Sequence, residues 1–378
     1  MHGHLSITSS TTAALVASLA LAACQPRPQD GIDSGMGTVA VESDSDRAGR
    51  DTAAGMRSPA MANPRMQQVL DAHAALGPKP IETLTPPEAR RQPTPTDAVK
   101  ALLRQEGKPT APPPGVTTVD RTIPGPGGEL PVRIYTPQAG AGPFPVVVYY
   151  HGGGFVIANK DVYDAGPRAL SQLANAVVVS VDYRHAPEHK FPAAHDDAFA
   201  AYRWALANAA SLQGDSGRVA VAGESAGGNL ALATALAARE SGARMPAHVL
   251  AVYPIAGTDT TTPSYRENAT AKPLNAAMMQ WFLRHYTRTP ADLADPRLNV
   301  LGASFRGLPP TTIVTAQIDP LRSEGERLAE QLKSAGVDVS HRHFDAVAHE
   351  FFGMNAVLPD AAEAQRFAAD RLKASFGK

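Results

Sequence analysis

A serine with a glycine two residues before it and another two residues after it is the clearest candidate for chemistry in this chain. Residues 223–227 read Gly-Glu-Ser-Ala-Gly, a G-x-S-x-G pattern. The apolar run 219–222 before it is typical of a strand buried on both faces, and the Ala- and Leu-rich segment from Asn229 favours a helix. So sharp a strand-to-helix turn leaves no room for side chains beside the serine, which requires glycine on both flanks. The pattern predicts that Ser225 is a nucleophile exposed at the carboxyl edge of a sheet.

A serine hydroxyl is a poor nucleophile at neutral pH and needs a base, usually a histidine whose tautomer is held by a carboxylate. With this kind of turn, the acid and then the histidine follow the serine along the chain. His349 comes after the predicted strand 337–344 and lies at the edge to which Ser225 points, so it is the candidate base. Four other histidines follow Ser225. His248 opens a strand and His285 lies on an inserted helix, so both are poorly placed. His341 and His343 share one face of a predicted strand, where a packed or solvated role is simpler.

The candidate acid is Asp319, which follows the predicted strand 311–315 at the same edge of the sheet. Asp295 lies in a predicted insertion, and Asp338 and Asp345 are too near the ends of the last strand to brace the base from a neighbouring strand. The three side chains Ser225, Asp319 and His349 therefore form the expected catalytic set.

A glycine run supplies the third requirement, which is a site for the oxyanion of a tetrahedral intermediate. Residues 151–155 read His-Gly-Gly-Gly-Phe and follow the predicted strand 146–150. Without side chains, their backbone N–H groups can approach a substrate closely, and the N–H of Ala226 is a further donor. Each such donor contributes about 3 kcal/mol in the transition state. A phosphate-binding loop is not favoured, because the chain has neither G-K-[ST] here nor G-x-G-x-x-G.

Alternating strands and helices must position these residues. Two strands joined by Pro-Gly-Pro-Gly-Gly predict a hairpin, and several later strands have no polar face. This pattern predicts an α/β fold with a mostly parallel sheet covered by helices on both faces. The predicted strands are 116–123, 129–136, 146–150, 176–181, 219–222, 248–253, 311–315 and 337–344, and the predicted helices are 166–175, 191–208, a helix from 229, 324–334 and 361–374.

Two segments outside this alternation are expected to cover the site. Residues 63–114 form a proline-rich arm with predicted helices at 63–76 and 96–106, the second capped by Thr96. Residues 257–300 are too long for a simple connection and carry an apolar helix around Trp281. We expect both to act as pieces of a cap.

The front of the chain has the features of an export signal. The apolar stretch 13–23 is too short to span a bilayer and ends in Leu-Ala-Ala-Cys, which resembles the lipobox of bacterial lipoproteins. Residues 1–24 are therefore predicted to be a lipoprotein-type signal peptide, with Cys24 lipidated and the protein membrane-anchored, facing the periplasm or cell exterior. The alternative is cleavage after Ala20-Leu-Ala22, which gives a soluble periplasmic protein. Residues 25–62 are poor in large apolar residues and are predicted to be a disordered tether.

Composition excludes several classes of function. The 378 residues carry a formal net charge of −1 and no basic patch, which argues against nucleic acid as a partner. Cys24 is the only cysteine, so no disulfide can form within the chain. His341 and His343 have no third residue at metal-ligand spacing, so no metal site is expected, and the chemistry above requires no organic cofactor.

Five segments, in this order and approximate spacing, resemble the bacterial hormone-sensitive-lipase-like esterases, family IV of the α/β hydrolases. The resemblance covers about residue 63 to the end and implies an α/β-hydrolase domain, 63–378, with an eight-stranded core and a helical cap from about 63–114 and 257–300. The segments are residues 151–155, 182–188 (Asp-Tyr-Arg-His-Ala-Pro-Glu), 223–228 (Gly-Glu-Ser-Ala-Gly-Gly), 319–322 (Asp-Pro-Leu-Arg) and His349.

The same resemblance implies hydrolysis of short- to medium-chain acyl esters through an acyl-enzyme. It implies Ser225, Asp319 and His349 as the triad, Gly153, Gly154 and Ala226 as oxyanion donors, and structural roles for His151 and Glu188. The sequence departs from the family at Glu224, at His185 and at Glu350. Glycine is common at the position of Glu350, and Glu350 is expected to narrow the pocket mouth. Amide or lactone hydrolysis on the same triad stays open, as does a non-catalytic ligand binder resembling the plant gibberellin receptors, although the presence of a base argues against the binder.

Overall fold

The computed structural model describes residues 60–377 of the chain. The predicted signal peptide 1–24 with Cys24, and all but the last three residues of the predicted tether 25–62, lie outside the described residues.

Eight strands form one sheet with the spatial order β1-β2-β4-β3-β5-β6-β7-β8. β2 is antiparallel to both of its neighbours, and every other pair is parallel. Seven strands therefore run in one direction, and their carboxyl ends meet at one edge. The strands are β1 Val116–Gly125, β2 Gly128–Pro137, β3 Phe144–Tyr150, β4 Val177–Val181, β5 Gly214–Glu224, β6 Val249–Val252, β7 Thr311–Ile318 and β8 Val339–Ala348.

Helices cover both faces of this sheet. The α-helices are α1 Pro64–Ala75, α2 Pro86–Ala89, α3 Pro95–Gln105, α4 Ala165–Ala174, α5 Ala193–Asn208, α6 Ala226–Glu240, α7 Pro263–Glu267, α8 Ala276–Tyr286, α9 Arg322–Ser334 and α10 Pro359–Phe376. Short 3-10 helices lie at Ile81–Thr83, Ala209–Leu212, Pro290–Ala294, Val300–Gly302 and Phe351–Met354. No helix within residues 60–377 combines the length and apolar character that a membrane crossing requires.

The central strands are buried on both faces, which explains why they carry no polar side. All seven residues of β3 are buried, and alternate residues enter different hydrophobic cores. Val146 and Val148 pack with α5, α6, α8 and α9 on one face, whereas Val147 and Tyr149 pack with α1, α3, α4 and α10 on the other. The fold predicted from the sequence, a mostly parallel eight-stranded α/β sheet between two layers of helices, is confirmed.

The predicted cap of α3 at Thr96 is wrong. The helix begins at Pro95, and the N-cap is Thr94, whose hydroxyl accepts a hydrogen bond from the Asp97 amide at 3.2 Å. The Asp97 carboxylate accepts one in return from the Thr94 amide at 2.9 Å, which completes a capping box. The Thr96 hydroxyl is engaged elsewhere, because it donates to the carbonyl of Val162 at 2.8 Å. Proline at the first helical position favours the earlier start.

Candidate active site

Ser225 lies at a strained turn between β5 and α6. Its backbone has φ 56° and ψ −117°, in the positive-φ region that residues other than glycine rarely adopt. The chain turns so tightly that a Cβ on Gly223 would lie 2.2 Å from the carbonyl oxygen of Gly227. A Cβ on Gly227 would lie 1.9 Å from the carbonyl oxygen of Tyr150 on the neighbouring strand β3. Both flanking glycines are therefore required by contact with backbone.

Three side chains from separate strand ends meet at this turn. Nε2 of His349 lies 3.0 Å from Oγ of Ser225, and Nδ1 of the same ring lies 2.7 Å from Oδ2 of Asp319. Asp319 follows β7 and His349 follows β8, so the parallel register of these strands brings them together. The amide of Leu321 donates to Oδ1 of Asp319 at 2.8 Å, which fixes the carboxylate.

The surroundings favour the protonated form of His349. The imidazole is 2% exposed and the Asp319 side chain is fully buried. Burial by itself lowers the pKa of His349, but the charge of Asp319 and its hydrogen bond to Nδ1 outweigh this, and the pKa lies above its ordinary value of 6.5. An imidazolium at this position is therefore stabilised.

The glycine loop after β3 presents free amides beside Ser225. Gly153 has φ 98° and Gly154 has φ 59°, and both line the cavity that contains Ser225. Within residues 60–377 neither amide donates to a protein acceptor, and Ala226, as the first residue of α6, has no intrahelical acceptor for its own N–H. A Cβ on Gly154 would lie 2.2 Å from the Phe282 ring, so the loop closely approaches α8.

His151 and Glu188 hold loops around the site rather than contacting Ser225. His151 is fully buried, and its ring stacks on Tyr183 with 4.3 Å between centroids. The Tyr183 hydroxyl donates to the His151 carbonyl at 2.9 Å, which anchors the start of the glycine loop. Glu188 forms a two-bond ion pair with Arg90 of the arm, at 2.7 and 2.8 Å, and Arg90 also donates to the carbonyl of Val156 at 2.8 Å. The arm is thereby tied to the loop that follows the glycines.

A cavity of about 740 Å³ opens above Ser225. The arm lines one part of it through Leu70, His73 and Ile81, among others. The insertion lines another through Leu274, Met278 and Phe282 on or near α8. The cavity wall therefore combines apolar side chains from both segments with polar ones, and Ser225, His349 and Glu350 are among the polar residues.

A cluster of carboxylates and tyrosines next to Ser225 and His349 was not foreseen from the sequence. Glu224 is buried and accepts hydrogen bonds from the hydroxyls of Tyr149 and Tyr253. Burial raises the pKa of Glu224 to about 7. The Tyr163 hydroxyl donates in the same way to Glu350, whose pKa is raised by desolvation. The two glutamates were visible in the sequence, but the tyrosines come from distant segments and no local pattern links them.

Glu350 lies on the cavity wall beside His349. Its Oε1 is 3.9 Å from Nε2 of His349, and whether it narrows the mouth stays a prediction. The residue directly follows His349, and the backbone there turns into the left-handed region at φ 74°. This turn aims the carboxylate at the imidazole.

The other histidines considered from the sequence form hydrogen bonds or ring contacts elsewhere. His341 and His343 both bond to the hydroxyl of Thr315, at 2.9 and 3.0 Å. His248 bonds to the hydroxyl of Thr312 at 2.9 Å, and His285 packs against Trp281. Within residues 60–377, no three His, Cys, Asp or Glu side chains are grouped so that they could hold a metal ion.

Comparisons with known proteins agree with this architecture. A family model described as alpha/beta hydrolase fold matches residues 147–353. Carboxylesterase NlhH of Mycobacterium tuberculosis is 41% identical over 278 residues, which cover 71% of this chain and 86% of that protein. The ethyl acetate hydrolase of Pseudomonas putida is 37% identical over 246 residues, which cover 63% of this chain and 76% of that protein.

Solved structures give the same relationship. An esterase from the archaeon Pyrobaculum calidifontis superposes with a TM-score of 0.74 at 38% identity, over 83% of this chain and 98% of that one. The family match extends over more than half of the chain. The chain therefore belongs to the alpha/beta hydrolase fold family, and its similarity to these esterases makes it a carboxylic ester hydrolase.

Proposed function

We propose that the protein is a serine carboxylesterase that hydrolyses short- to medium-chain acyl esters through an acyl-enzyme, with Ser225 as nucleophile, His349 as base and Asp319 as the acid that orients it. The observation that carries this proposal is the hydrogen-bonded series in which His349 contacts Ser225 through Nε2 and Asp319 through Nδ1, at 3.0 and 2.7 Å. This order of contacts is the one that general-base activation of a serine requires.

The reaction then has two halves. His349 takes the proton of Ser225 as the hydroxyl oxygen attacks the ester carbonyl, and it returns that proton to the departing alcohol. Water next attacks the acyl-enzyme with His349 again as base, and the carboxylic acid leaves Ser225. In both halves Asp319 stabilises the imidazolium without itself taking the proton.

The amides of Gly153, Gly154 and Ala226 are the proposed oxyanion donors. Support comes from the free N–H groups of the two glycines, which line the same cavity as Ser225, and from the position of Ala226 directly after the nucleophile. Loss of one such donor costs about 10²- to 10³-fold in kcat.

The size and lining of the cavity support the proposed preference for shorter acyl chains. Its volume of about 740 Å³ is shared between the acyl and alcohol parts of a substrate, and residues of the arm and of the insertion line it. The ethyl acetate hydrolase of Pseudomonas putida carries a small ester in its name, which supports the same preference.

The test is hydrolysis of a p-nitrophenyl ester series, from acetate to palmitate, by the wild-type protein, Ser225→Ala and His349→Ala. We expect activity that declines toward the long chains and a fall in kcat of about 10⁶-fold in either variant. Residual turnover near the wild-type rate in Ser225→Ala would refute the assigned nucleophile. Matched anilides and lactones in the same assay distinguish amide or lactone hydrolysis, and ligand binding without turnover of any substrate would indicate a non-catalytic relative.

Export and lipidation are proposed separately, from residues 1–24 alone. The cysteine at the end of Leu-Ala-Ala-Cys is the residue that a lipoprotein signal requires. We expect labelled palmitate to be incorporated in cells that express the full chain, and Cys24→Ala to abolish both the label and membrane fractionation. A processed, unlabelled protein in the periplasm would instead indicate the ordinary signal peptidase.

A further inference from the structure

We propose that Glu350 is a positioning residue for the proposed ester hydrolysis, a second carboxylate that stabilises the protonated form of His349 from the side of Nε2. This inference rests on the proposed function, because it assigns Glu350 an effect on the proposed base. The carboxylate oxygen Oε1 lies 3.9 Å from Nε2, whereas Asp319 occupies the other ring nitrogen at 2.7 Å. The imidazole therefore lies between two carboxylates.

The position of Glu350 is fixed by its neighbours in the chain. The His349 amide donates to the carbonyl of Ile318 at 3.1 Å, which holds this loop against the end of β7. The next residues, Phe351 and Phe352, are fully buried and begin a 3-10 helix. Between these anchors Glu350 adopts φ 74° and ψ 0°, a left-handed conformation that is unfavourable for a residue with a Cβ. The fold thus holds a charged side chain beside the base in spite of an unfavourable backbone.

Tyr163 fixes the carboxylate itself. Its hydroxyl donates to Oε1 of Glu350, the same oxygen that faces His349. The Glu350 side chain is 22% exposed and lines the substrate cavity, so it stays accessible to a bound substrate or a water molecule. A carboxylate that is held by one donor and partly exposed can stabilise charge on His349 without forming a closed ion pair that would draw the imidazole away from Ser225.

The electrostatic surroundings make this interaction strong. His349 is 2% exposed, and an opposite charge within about 4–6 Å of a group in such a site favours its charged form. The titratable groups around His349 are Asp319 at Nδ1, the Tyr253 ring at 4.5 Å between centroids, and Glu224 farther away. The groups that act on Glu350 are His349, Tyr163, Asp319 and His151, together with Glu224 across the tyrosine cluster.

Two consequences follow for catalysis. The second carboxylate makes His349 a stronger base, because it stabilises the imidazolium that forms as Ser225 attacks. The same effect displaces the acid limb of kcat/KM to higher pH, since His349 must lose its proton to act. His349, Glu350 and Glu224 act on one another electrostatically, so the limb is assigned to His349 only together with the NMR titration described below.

The test compares Glu350→Gln with the wild-type protein over the whole pH range in which the enzyme is stable. Glutamine keeps the size of the side chain and an oxygen that accepts from Tyr163, and it removes only the charge. The alcohol product is measured by chromatography, so that the readout does not itself titrate. We expect the acid limb to move to lower pH and the plateau kcat to fall by roughly fivefold to thirtyfold, as for one close charge in a partly exposed site.

Two further variants separate charge from structure. Asp345→Asn removes a carboxylate from β8, the strand that precedes His349. The Asp345 side chain is 86% exposed, and the substitution should leave the acid limb of kcat/KM unchanged. Glu224→Gln removes a carboxylate that lies beyond ion-pair distance of His349 and should move the limb in the same direction by less. The proposal would be overturned if the acid limb of kcat/KM in Glu350→Gln stayed at the wild-type pH or moved to higher pH while kcat stayed within twofold of wild type.

An NMR titration keeps this result independent of the proposed function. The ring nitrogens of His349 are followed in ¹⁵N-histidine-labelled protein, with His349→Ala as the assignment control. A lower pKa of His349 in Glu350→Gln supports the proposal, and an unchanged or higher pKa refutes it. If Ser225→Ala retained turnover, the proposed function would fail, but the titration would still decide whether Glu350 acts on His349.

Discussion

Glu224→Gln is expected to remove a pH-dependent loss of stability that the native site imposes. Glu224 precedes Ser225 and is 1% exposed, and its two oxygens accept from the hydroxyls of Tyr149 and Tyr253. Burial raises its pKa from 4.5 to about 7, because the carboxylate is removed from water and the two hydroxyl donors compensate only in part. The fold therefore prefers the protonated side chain.

The sign and size of the effect follow from linkage. Between pH 4.5 and about 7 the folded protein binds more protons at Glu224 than the unfolded chain does, so stability falls as the pH rises. Below pH 4.5 the side chain is protonated in both states, and above about 7 it is ionised in both. A shift of this size, at 1.36 kcal/mol per pKa unit, amounts to a loss of about 2–3 kcal/mol between pH 5 and pH 8.

The assay is urea unfolding of the wild-type protein and of Glu224→Gln at several pH values, followed by tryptophan fluorescence and checked by refolding on dilution. Glutamine cannot accept from both tyrosines, which adds a cost that is the same at every pH. The informative quantity is therefore the change with pH in the difference between the two free energies of unfolding. We expect Glu224→Gln to gain about 2–3 kcal/mol relative to wild type between pH 5 and pH 8. A difference that stays constant across this range would refute the reasoning.

Three further outcomes are expected. The acid limb of kcat/KM should lie above pH 6.5, because Asp319 raises the pKa of His349 above that value despite burial, and a pH–rate profile measures it. Asp319→Asn should lower kcat by about 10⁴-fold through the wrong tautomer of His349, while circular dichroism shows a folded protein. Asn229→Ala should lower the free energy of unfolding by about 2–3 kcal/mol, because this buried amide bonds to His195 and to two backbone carbonyls that would lose their donor.

Each of these three predictions has a result that would contradict it. An acid limb at or below pH 6.5 would mean that burial, and not Asp319, dominates at His349. A mild loss in Asp319→Asn would assign the orienting role to another carboxylate. An unchanged urea midpoint in Asn229→Ala would mean that water replaces the amide, and thermal unfolding of the same variant provides the cross-check.

Local sequence was sufficient to predict the turn at Ser225 and most of the strands. The turn needs only an apolar strand, two glycines and a helix, all of which are adjacent in the chain, and steric contact with backbone at Gly223 and Gly227 explains why no other residue fits. Asp319 and His349 were predicted by topology, because parallel strands end at one edge, and the structure brings both within hydrogen-bond distance of their partners. The cap of α3 was misplaced, although Pro95 at the first helical position and the capping box between Thr94 and Asp97 are local signals for Thr94; the Thr96 hydroxyl instead donates to Val162.

The amino-acid sequence alone was enough to predict the alternating α/β fold and the turn at Ser225, because hydrophobic periodicity and turn chemistry act between near neighbours. Asp319 and His349 followed from that fold, because parallel strands end at one edge. Tertiary structure alone decided what surrounds them. Tyr163 and Glu350 are 187 residues apart, and Tyr149 and Glu224 are 75 apart, so their pairing depends on how helices and strands pack and not on any local pattern. The electrostatic environment of His349 follows from this packing, because both the distance between charges and their removal from water are set only when the chain is folded.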